Sequence, residues 1–402
     1  MKKKILILNR WDDEFSDYRQ VLSKNDFEIH MICKKGCERV IELNQCESYV
    51  IVDNLSYEEC YSKLEEKYST KFQFDLLISL SEFDMIESAK LREKLNIPGP
   101  KLAEVICWRD KNIMKKVVAE NSLKVPDWKL VSSKQNIIDF FLRHENGIVL
   151  KPLSEAASNG VFICKSFKDI DEIFSKIENN IDNYEMEEFL ANKIGHIDGI
   201  MRNGEIIFGI VSEYIGDCLS FREGNSLGSV TIDNLEEKSK YLNFAQSCLN
   251  ALKVENSVFH LEFFFAQNPI FLEVGVRMGG GEIPFVVKEV FGVNLFTEWL
   301  KLLTGQDLFL HAYQTNKQEN KIAGFLMLPE VIGKKLIKIN FESYLISELY
   351  FKYYAKLGQV FDGNGGYEKI LARFRYKGQT SQQIKMAIQL TQKHFQAQFE
   401  LV

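Results

Sequence analysis

Long apolar segments are missing from this chain of 402 residues, and no run approaches the length of a membrane-spanning helix. The apolar start at residues 5–8 ends at Asn9 and Arg10, so it is typical of a first strand and not of a secretion signal. An excess of positive charge is missing as well, because the net charge is −6. That balance argues against an extended nucleic-acid surface. We therefore expect a cytoplasmic protein that binds neither a membrane nor nucleic acid.

Several common site motifs are also missing. The eight cysteines are scattered, and the Cys33-x-x-x-Cys37 pair has no second pair or nearby histidine that would complete a zinc spacing. We interpret the cysteines as reduced thiols. Neither the Gly-x-x-x-x-Gly-Lys order of a P-loop nor the Gly-x-Gly-x-x-Gly of a dinucleotide site is found. Any phosphate site must therefore be built in another way.

The length predicts two to four domains. Near the start, short apolar runs at 4–9, 27–32, 48–52 and 74–79 alternate with helical patterns near 12–24 and 56–70. This alternation predicts a doubly wound parallel sheet. We place four units along the chain: an α/β domain at 1–105, a part at 106–190 that holds a compact α+β module from about 124, a strand-rich unit at 191–330 with helices near 235–252 and 282–304, and an α+β extension at 331–402.

Two glutamates are the most informative residues of the chain. The segment 260–281 predicts two strands around an Asn268-Pro269 turn. If the turn centres on residues 267 and 268, Glu262 and Glu273 oppose each other, with Cβ atoms roughly 4.5–5.5 Å apart. Opposed like charges destabilise a sheet, so a partner should hold them. Because Mg²⁺ binds one or two carboxylates together with phosphate oxygens, the pair predicts a magnesium–phosphate site.

Lys151 follows the apolar residues 148–150, and a loop of mostly small residues follows at 154–160. Such a loop lets backbone N–H groups approach phosphate oxygens, and the lysine adds a positive charge. Taken alone, the pattern fits an ordinary hairpin loop better than a phosphate site.

Two further patterns lie between the lysine and the glutamates. Glu187 and Glu188 precede Phe189-Leu190, as in a solvated strand end or in a hinge that contacts the edge of an adenine ring. His196 and Asp198 share one face of an extended segment, where the histidine would either bind a ribose, order a metal site or be structural.

Arg277 and the glycines 279–281 follow the second glutamate. Three glycines allow a substrate to lie against the backbone, and the arginine offers a rigid fork of donors for phosphate or carboxylate. A flexible turn with a surface arginine is the alternative, but it leaves the opposed glutamates unexplained.

Together these motifs resemble the ATP-grasp superfamily of carboxylate-activating ligases from about residue 1 to 380. The resemblance depends on the order of the motifs: an N-terminal α/β domain, Asp110-Lys111 at a helix start, Lys151 with its loop, the hinge at 187–190, residues 196–199, the two acidic strands, and Arg277 with the glycines. It implies an α/β (α+β) ATP-grasp fold with a doubly wound N-terminal domain, a small lid at 124–190 and a C-terminal mixed sheet.

The resemblance also implies roles. In the nucleotide site, three residues would contact ATP: Lys111, Lys151 and Ser158. Glu187 would bond the adenine amino group, and the backbone of Glu188 and Leu190 would hold the ring. His196 would lie near the ribose or the phosphates. Glu262 and Glu273 would hold one or two Mg²⁺ ions, with Mn²⁺ as an alternative metal, and Glu262 would border the nucleotide. Arg277 and Lys151 would act in catalysis, Arg277 by stabilising the acyl phosphate and the tetrahedral intermediate.

Two positions depart from the family pattern. Many members have an asparagine as a third metal ligand where this chain has Gly275, and a glutamate often found after the hinge is absent here. The number of metal ions is therefore left open.

The activity that the resemblance implies is ligation. A carboxylate, an amino acid or another small acid, would be activated by ATP as an acyl phosphate and joined to an amine, with release of ADP and phosphate. The acceptor stays open between an amine, a hydroxyl, bicarbonate and a thiol, including that of a carrier protein. A non-catalytic ATP-binding subunit or sensor is the alternative from another class. A homodimer is expected from base rates alone.

Overall fold

The computed structural model describes residues 2–69, 73–155, 158–309, 321–363 and 370–402. Residues 156 and 157 of the predicted phosphate loop lie outside the described residues. Within these ranges, no helix is both long enough and apolar enough to cross a membrane.

The first unit is a parallel four-stranded sheet. Its strands are β1 (Lys3–Asn9), β2 (Phe27–Lys34), β3 (Ser48–Val52) and β4 (Leu76–Ser79), and α1 (Arg39–Leu43), α2 (Tyr57–Tyr68) and α3 (Met85–Leu95) accompany them. The strand order is β3-β2-β1-β4. In β1, Ile5 and Ile7 pack on one side of the sheet and Leu6 and Leu8 on the other. A parallel sheet covered on both faces requires this pattern, and the predicted doubly wound sheet is confirmed.

The predicted helix near 12–24 is wrong. Two short 3₁₀ turns, Glu14–Ser16 and Tyr18–Gln20, occupy that segment. Asp17 between them has a non-helical backbone, with φ −91° and ψ 81°. The backbone N–H of Tyr18 donates at 2.7 Å to the side chain of Asn44, so a tertiary contact replaces the bond that a helix would need.

A small antiparallel sheet forms the second unit. Two helices, α4 (Leu102–Arg109) and α5 (Lys111–Glu120), lead into it, and Asp110 caps α5 by accepting from the N–H of Ile113. The module contains β5 (Trp128–Leu130), α6 (Lys134–Phe141), β6 (Ile148–Pro152), β7 (Phe162–Cys164), α7 (Phe167–Ile177) and β8 (Tyr184–Glu188). Its strand order is β5-β8-β6-β7, which places the strand of Lys151 beside that of Glu187.

A large antiparallel sheet dominates the rest of the chain. The elements are β9 (Ile194–Arg202), β10 (Glu205–Ile215), α8 (Cys218–Arg222), β11 (Leu227–Thr231), α9 (Leu235–Ala251), β12 (Ser257–Phe264), β13 (Ile270–Gly275), α10 (Ile283–Phe291), α11 (Leu295–Thr304), β14 (Ile322–Leu328), β15 (Lys334–Asn340), β16 (Leu349–Tyr354), β17 (Ala372–Gly378), α12 (Ser381–His394) and β18 (Gln396–Leu401). Eight strands form the order β13-β12-β9-β10-β11-β14-β17-β16, and β15 pairs with β18.

The large sheet continues past residue 330, the boundary that the sequence predicts between the third and fourth units. Strands β16 and β17 belong to the extension but extend the large sheet through β14. The helical segment near 282–304 is two helices, because Gly292 ends α10 at φ +76° and Asn294 caps α11. The apolar faces of α9 and α10 pack with strands of the large sheet, so the core there supports the strands that carry Glu262 and Glu273.

Candidate active site

The hairpin of β12 and β13 brings the two glutamates together. Glu262 pairs directly with Glu273, and His260 with Gly275, so the predicted register is confirmed. Towards the turn the register shifts by one residue, because Phe263 pairs with Phe271. This bulge lets a five-residue loop close the hairpin while the two carboxylates stay opposed.

A lysine stabilises the second glutamate. Lys111, at the start of α5, places its Nζ 3.1 Å from Oε2 of Glu273 and donates to the carbonyl of Glu155 at 2.7 Å. Burial opposes ionisation of Glu273, but the charges of Lys111 and Lys151 outweigh it and lower its pKa to about 2. Glu273 is therefore a carboxylate at neutral pH.

Different partners hold the first glutamate. Oε1 of Glu262 accepts from the hydroxyl of Tyr214 at 2.9 Å and lies 3.4 Å from Nε2 of His260. Burial favours the neutral form of His260, but the negative charge and hydrogen bond of Asp198 prevail and raise its pKa to about 9. A charged His260 therefore faces Glu262 from the same strand face.

His196 and Asp198 lie on β9, the strand next to β12, opposite Glu262 and His260 respectively, and both are almost fully buried. Asp198 accepts from His196 at 2.6 Å and from His260 at 2.9 Å, while the other ring nitrogen of His196 lies 2.7 Å from Oγ of Ser229. Ligand atoms of the three residues lie within 4.8 Å of one another, close enough to share a metal ion. In this structure their polar atoms satisfy each other.

A cavity of about 590 Å³ separates the small module from the large sheet. This volume suits a nucleotide or another small ligand. Most predicted nucleotide-site residues line it: Lys111, Lys151, Ser158, Glu187, Glu188, Leu190, Glu262 and Glu273. His196 is not part of the lining and borders a separate cavity of about 20 Å³.

Buried opposite charges form one wall of this region. Lys151 lies 2.7 Å from Oε1 of Glu187, which also accepts from Lys115, and Lys115 contacts Glu185 at 2.5 Å. Burial opposes ionisation of Glu187, but the two lysines lower its pKa to about 2. Burial would lower the pKa of Lys151, yet Glu187 and Glu185 raise it. The carboxylate of Glu187 is thus engaged by two lysines.

Arg277 is bound by a residue of the N-terminal domain. Its Nε donates to Oε2 of Glu82 at 2.7 Å, and its Nη1 donates to the carbonyl of Met278 at the same distance. Glu82 also pairs with Arg109, which donates to the carbonyl of Ser154 in the predicted phosphate loop. Burial raises the pKa of Glu82, but the two arginines lower it overall. This chain of contacts connects Arg277 to the phosphate loop.

Sequence reasoning missed five of these residues. Two had a usable signal: Glu185 shares a strand face with Glu187, and Lys115 lies one helical turn after Lys111. The other three are Glu82, Arg109 and Tyr214, which reach the site only through tertiary folding.

Comparisons with known proteins agree with this architecture. No protein-family model matches the chain. The L-arginine-specific L-amino acid ligase of Bacillus subtilis is 21% identical over 319 residues, which is 76% of each chain. The crystal structure of an L-amino acid ligase from Bacillus licheniformis superimposes with a TM-score of 0.76 at 16% identity, over 99% of each chain.

The biotin carboxylase domain of the 2-oxoglutarate carboxylase of Hydrogenobacter thermophilus, solved with MgADP, ADP and bicarbonate, is a more distant structural neighbour. It gives a TM-score of 0.68 at 13% identity, over 99% of this chain and 91% of that domain. These neighbours share the ATP-grasp fold. The chain therefore has the ATP-grasp fold, and its sequence is similar to that of an amino acid ligase.

Proposed function

We propose that this protein activates a small carboxylic acid, most simply an amino acid, as an acyl phosphate with ATP, and joins it to an amine with release of ADP and phosphate. The single observation that carries the proposal is the opposed pair of Glu262 and Glu273 at the wall of the nucleotide-sized cavity. Relatives that are amino acid ligases support an amine acceptor over a thiol, a hydroxyl or bicarbonate.

The carboxylate pair fits a hard divalent cation. Both side chains line the cavity, with 14% of Glu262 and 33% of Glu273 exposed, and both offer oxygen donors. Oxygen donors of this kind, completed by phosphate and water, are those that Mg²⁺ prefers, and Mn²⁺ accepts them too. Bound there, the metal would neutralise charge on the phosphate oxygens.

The chain's own groups would do the rest by position and charge. Lys111 and Lys151 would bind phosphate oxygens, and the backbone of Glu188 and Leu190 would hold the adenine edge. Arg277, fixed by Glu82, would face the charge that develops when the carboxylate attacks the γ-phosphate.

Water must be excluded while the acyl phosphate exists. The small module at 124–190 lies on the opposite side of the cavity from the large sheet. We propose that it acts as a lid, because hydrolysis of the acyl phosphate would otherwise compete with attack by the amine.

A screen of ADP release tests the function. Amino acids and small carboxylic acids are supplied in pairs with MgATP, and the product mass is measured. We expect ADP release that depends on both substrates and a product mass equal to their sum minus one water. The variant Glu273→Ala should lose this release while staying folded, and Glu236→Ala, which removes an exposed glutamate from α9, should not.

Two results would count against the proposal. Full turnover by folded Glu273→Ala at ordinary Mg²⁺ would refute the metal assignment. Tight ATP binding without ADP release across a broad panel would favour a nucleotide sensor.

A further inference from the structure

Four charged side chains are buried between the small module and helix α5. We call them the charge quartet: Lys115, Lys151, Glu185 and Glu187. Each side chain is at most 6% exposed. Glu185 and Glu187 come from β8, Lys151 from the neighbouring β6, and Lys115 from α5. Burying four charged groups costs desolvation free energy unless the charges are paired, so the arrangement needs an explanation.

The four charges sum to zero, but the two lysines are not equivalent. Lys151 lines the cavity, whereas Lys115 does not line it and is fully buried. Lys115 contacts Glu185 at 2.5 Å and also pairs with Glu187, while Lys151 lies 2.7 Å from Glu187 and 3.9 Å from Glu185. Without Lys115, both buried carboxylates would face Lys151 alone.

The two lysines of the charge quartet do not fully compensate its two carboxylates. The second carboxylate oxygen of Glu185 is buried and has no hydrogen-bond partner among the described residues. Burial raises the pKa of Glu185, in the direction expected of a carboxylate that is incompletely compensated. A bound triphosphate would add more negative charge beside Lys151.

We infer that Lys115 is a positioning residue for nucleotide binding: it holds Glu185 and Glu187, so that the charge of Lys151 is available to a nucleotide phosphate. The inference rests on the proposed ATP site, and it adds Lys115 and Glu185 to the residues that determine phosphate affinity. Neither residue would touch the nucleotide.

A charge series in the full-length protein tests this. Lys115→Met gives the quartet a net charge of −1, Glu185→Gln gives +1, and the double variant returns it to zero. Lys116→Met is the matched control, because it removes a lysine from the exposed face of the same helix. Dissociation constants for MgATP and for adenosine are measured by calorimetry near pH 8, since a proton taken up by Glu185 would cancel the missing charge.

We expect ATP affinity to follow the charge of the quartet. Lys115→Met should weaken MgATP binding by about tenfold or more, equivalent to about 1.4 kcal/mol, and should weaken adenosine binding much less, because adenosine carries no phosphate. The double variant and Lys115→Arg should return to within about threefold of the wild type, and Lys116→Met should match it. Glu185→Gln should bind MgATP at least as tightly as the wild type.

Other outcomes overturn the inference. Equal loss of ATP and adenosine binding in Lys115→Met would indicate a purely structural role, and an unrescued double variant would exclude charge balance. If Lys115→Met does not fold, weaker MgATP binding by Glu185→Gln would still refute it. Absence of MgATP binding by the wild type would instead refute the proposed function, so the two failures are distinguishable.

Discussion

The side chain that Gly275 lacks affects where Arg277 can lie. A Cβ at this position would be 3.3 Å from both Nε and Cζ of Arg277, which is tighter than an ordinary contact. An asparagine, as many ATP-grasp proteins have here, would need the guanidinium to move. With Gly275, Arg277 packs over the strand and reaches Glu82, and the two opposed glutamates carry more of the proposed metal binding.

Gly279 is constrained in a similar way. A Cβ there would lie 2.5 Å from Oδ1 of Asp198, a carboxylate that His196 and His260 hold in place. The glycine loop (residues 279–281) therefore lies directly against the buried network of His196, Asp198 and His260. The position of Asp198 therefore limits residue 279 to glycine.

The stability of this network depends on pH. The pKa of His260 rises from 6.5 in the unfolded chain to about 9 in the folded protein. The folded protein binds the proton of His260 more tightly than the unfolded chain does. Protonated His260 therefore stabilises the fold fully below pH 6.5, and this stabilisation is lost as the pH rises through about 9. We expect the free energy of unfolding of the wild type to fall relative to that of His260→Gln across this window, by on the order of 3 kcal/mol.

Urea denaturation at several pH values, with EDTA present to remove divalent ions, measures this difference. Parallel stability curves for the wild type and His260→Gln between pH 6.5 and 9 would contradict the raised pKa.

Residue-level prediction succeeded where local rules apply. Strand alternation and a turn signal were enough to oppose Glu262 and Glu273. Glu82 could not be found in this way, because 195 residues separate it from Arg277 and only the docking of the N-terminal domain brings them together.

At the scale of elements, an ion-pair cluster fixes the start of α10. Glu282, the residue before this helix, is completely buried and accepts from Arg375 at 2.5 Å and from Arg373 at 3.2 Å. Both arginines lie on β17, and Arg375 lies between the rings of Phe285 and Phe351. The extension of the chain thus holds the far end of the glycine loop, while Glu82 holds Arg277 at the near end.

Breaking this cluster should destabilise the protein strongly. Glu282→Gln removes the negative charge that compensates Arg373 and Arg375, so we expect a loss of about 3–5 kcal/mol in the free energy of unfolding. Chemical denaturation measures it. Glu66→Gln breaks an exposed ion pair with Lys63 and should give no measurable change. Equal effects of the two variants would show that burial of Glu282 is not what matters.

Element prediction failed where tertiary contacts override local pattern. The apolar residues of segment 12–24 have helical spacing. The side chain of Asn44, however, accepts the hydrogen bond of the Tyr18 N–H, and the chain forms short 3₁₀ turns instead. The break at Gly292 was readable in principle, because glycine commonly ends a helix.

At the scale of the whole molecule, the proposed site is assembled from all parts of the chain. The N-terminal domain supplies Glu82, α5 supplies Lys111 and Lys115, the small module supplies Lys151, and the large sheet supplies the carboxylate pair. The order of motifs predicts Lys111, Lys151 and the carboxylate pair for this site, but it does not predict Glu82 or Lys115. The continuation of the large sheet into β16 and β17 was not predictable, because it depends on strand pairing across distant segments.

In the proposed reaction, a carboxylate attacks the γ-phosphate of ATP in the cavity bordered by Glu262 and Glu273. A substrate carboxylate labelled with ¹⁸O tests this step most directly, once the screen has identified a substrate pair. Attack transfers one carboxylate oxygen to phosphorus, and displacement by the amine then releases it with the phosphate. We predict one ¹⁸O atom in the inorganic phosphate for each amide formed, as measured by mass spectrometry. Amide formation with unlabelled phosphate, or with the label in AMP, would contradict the account.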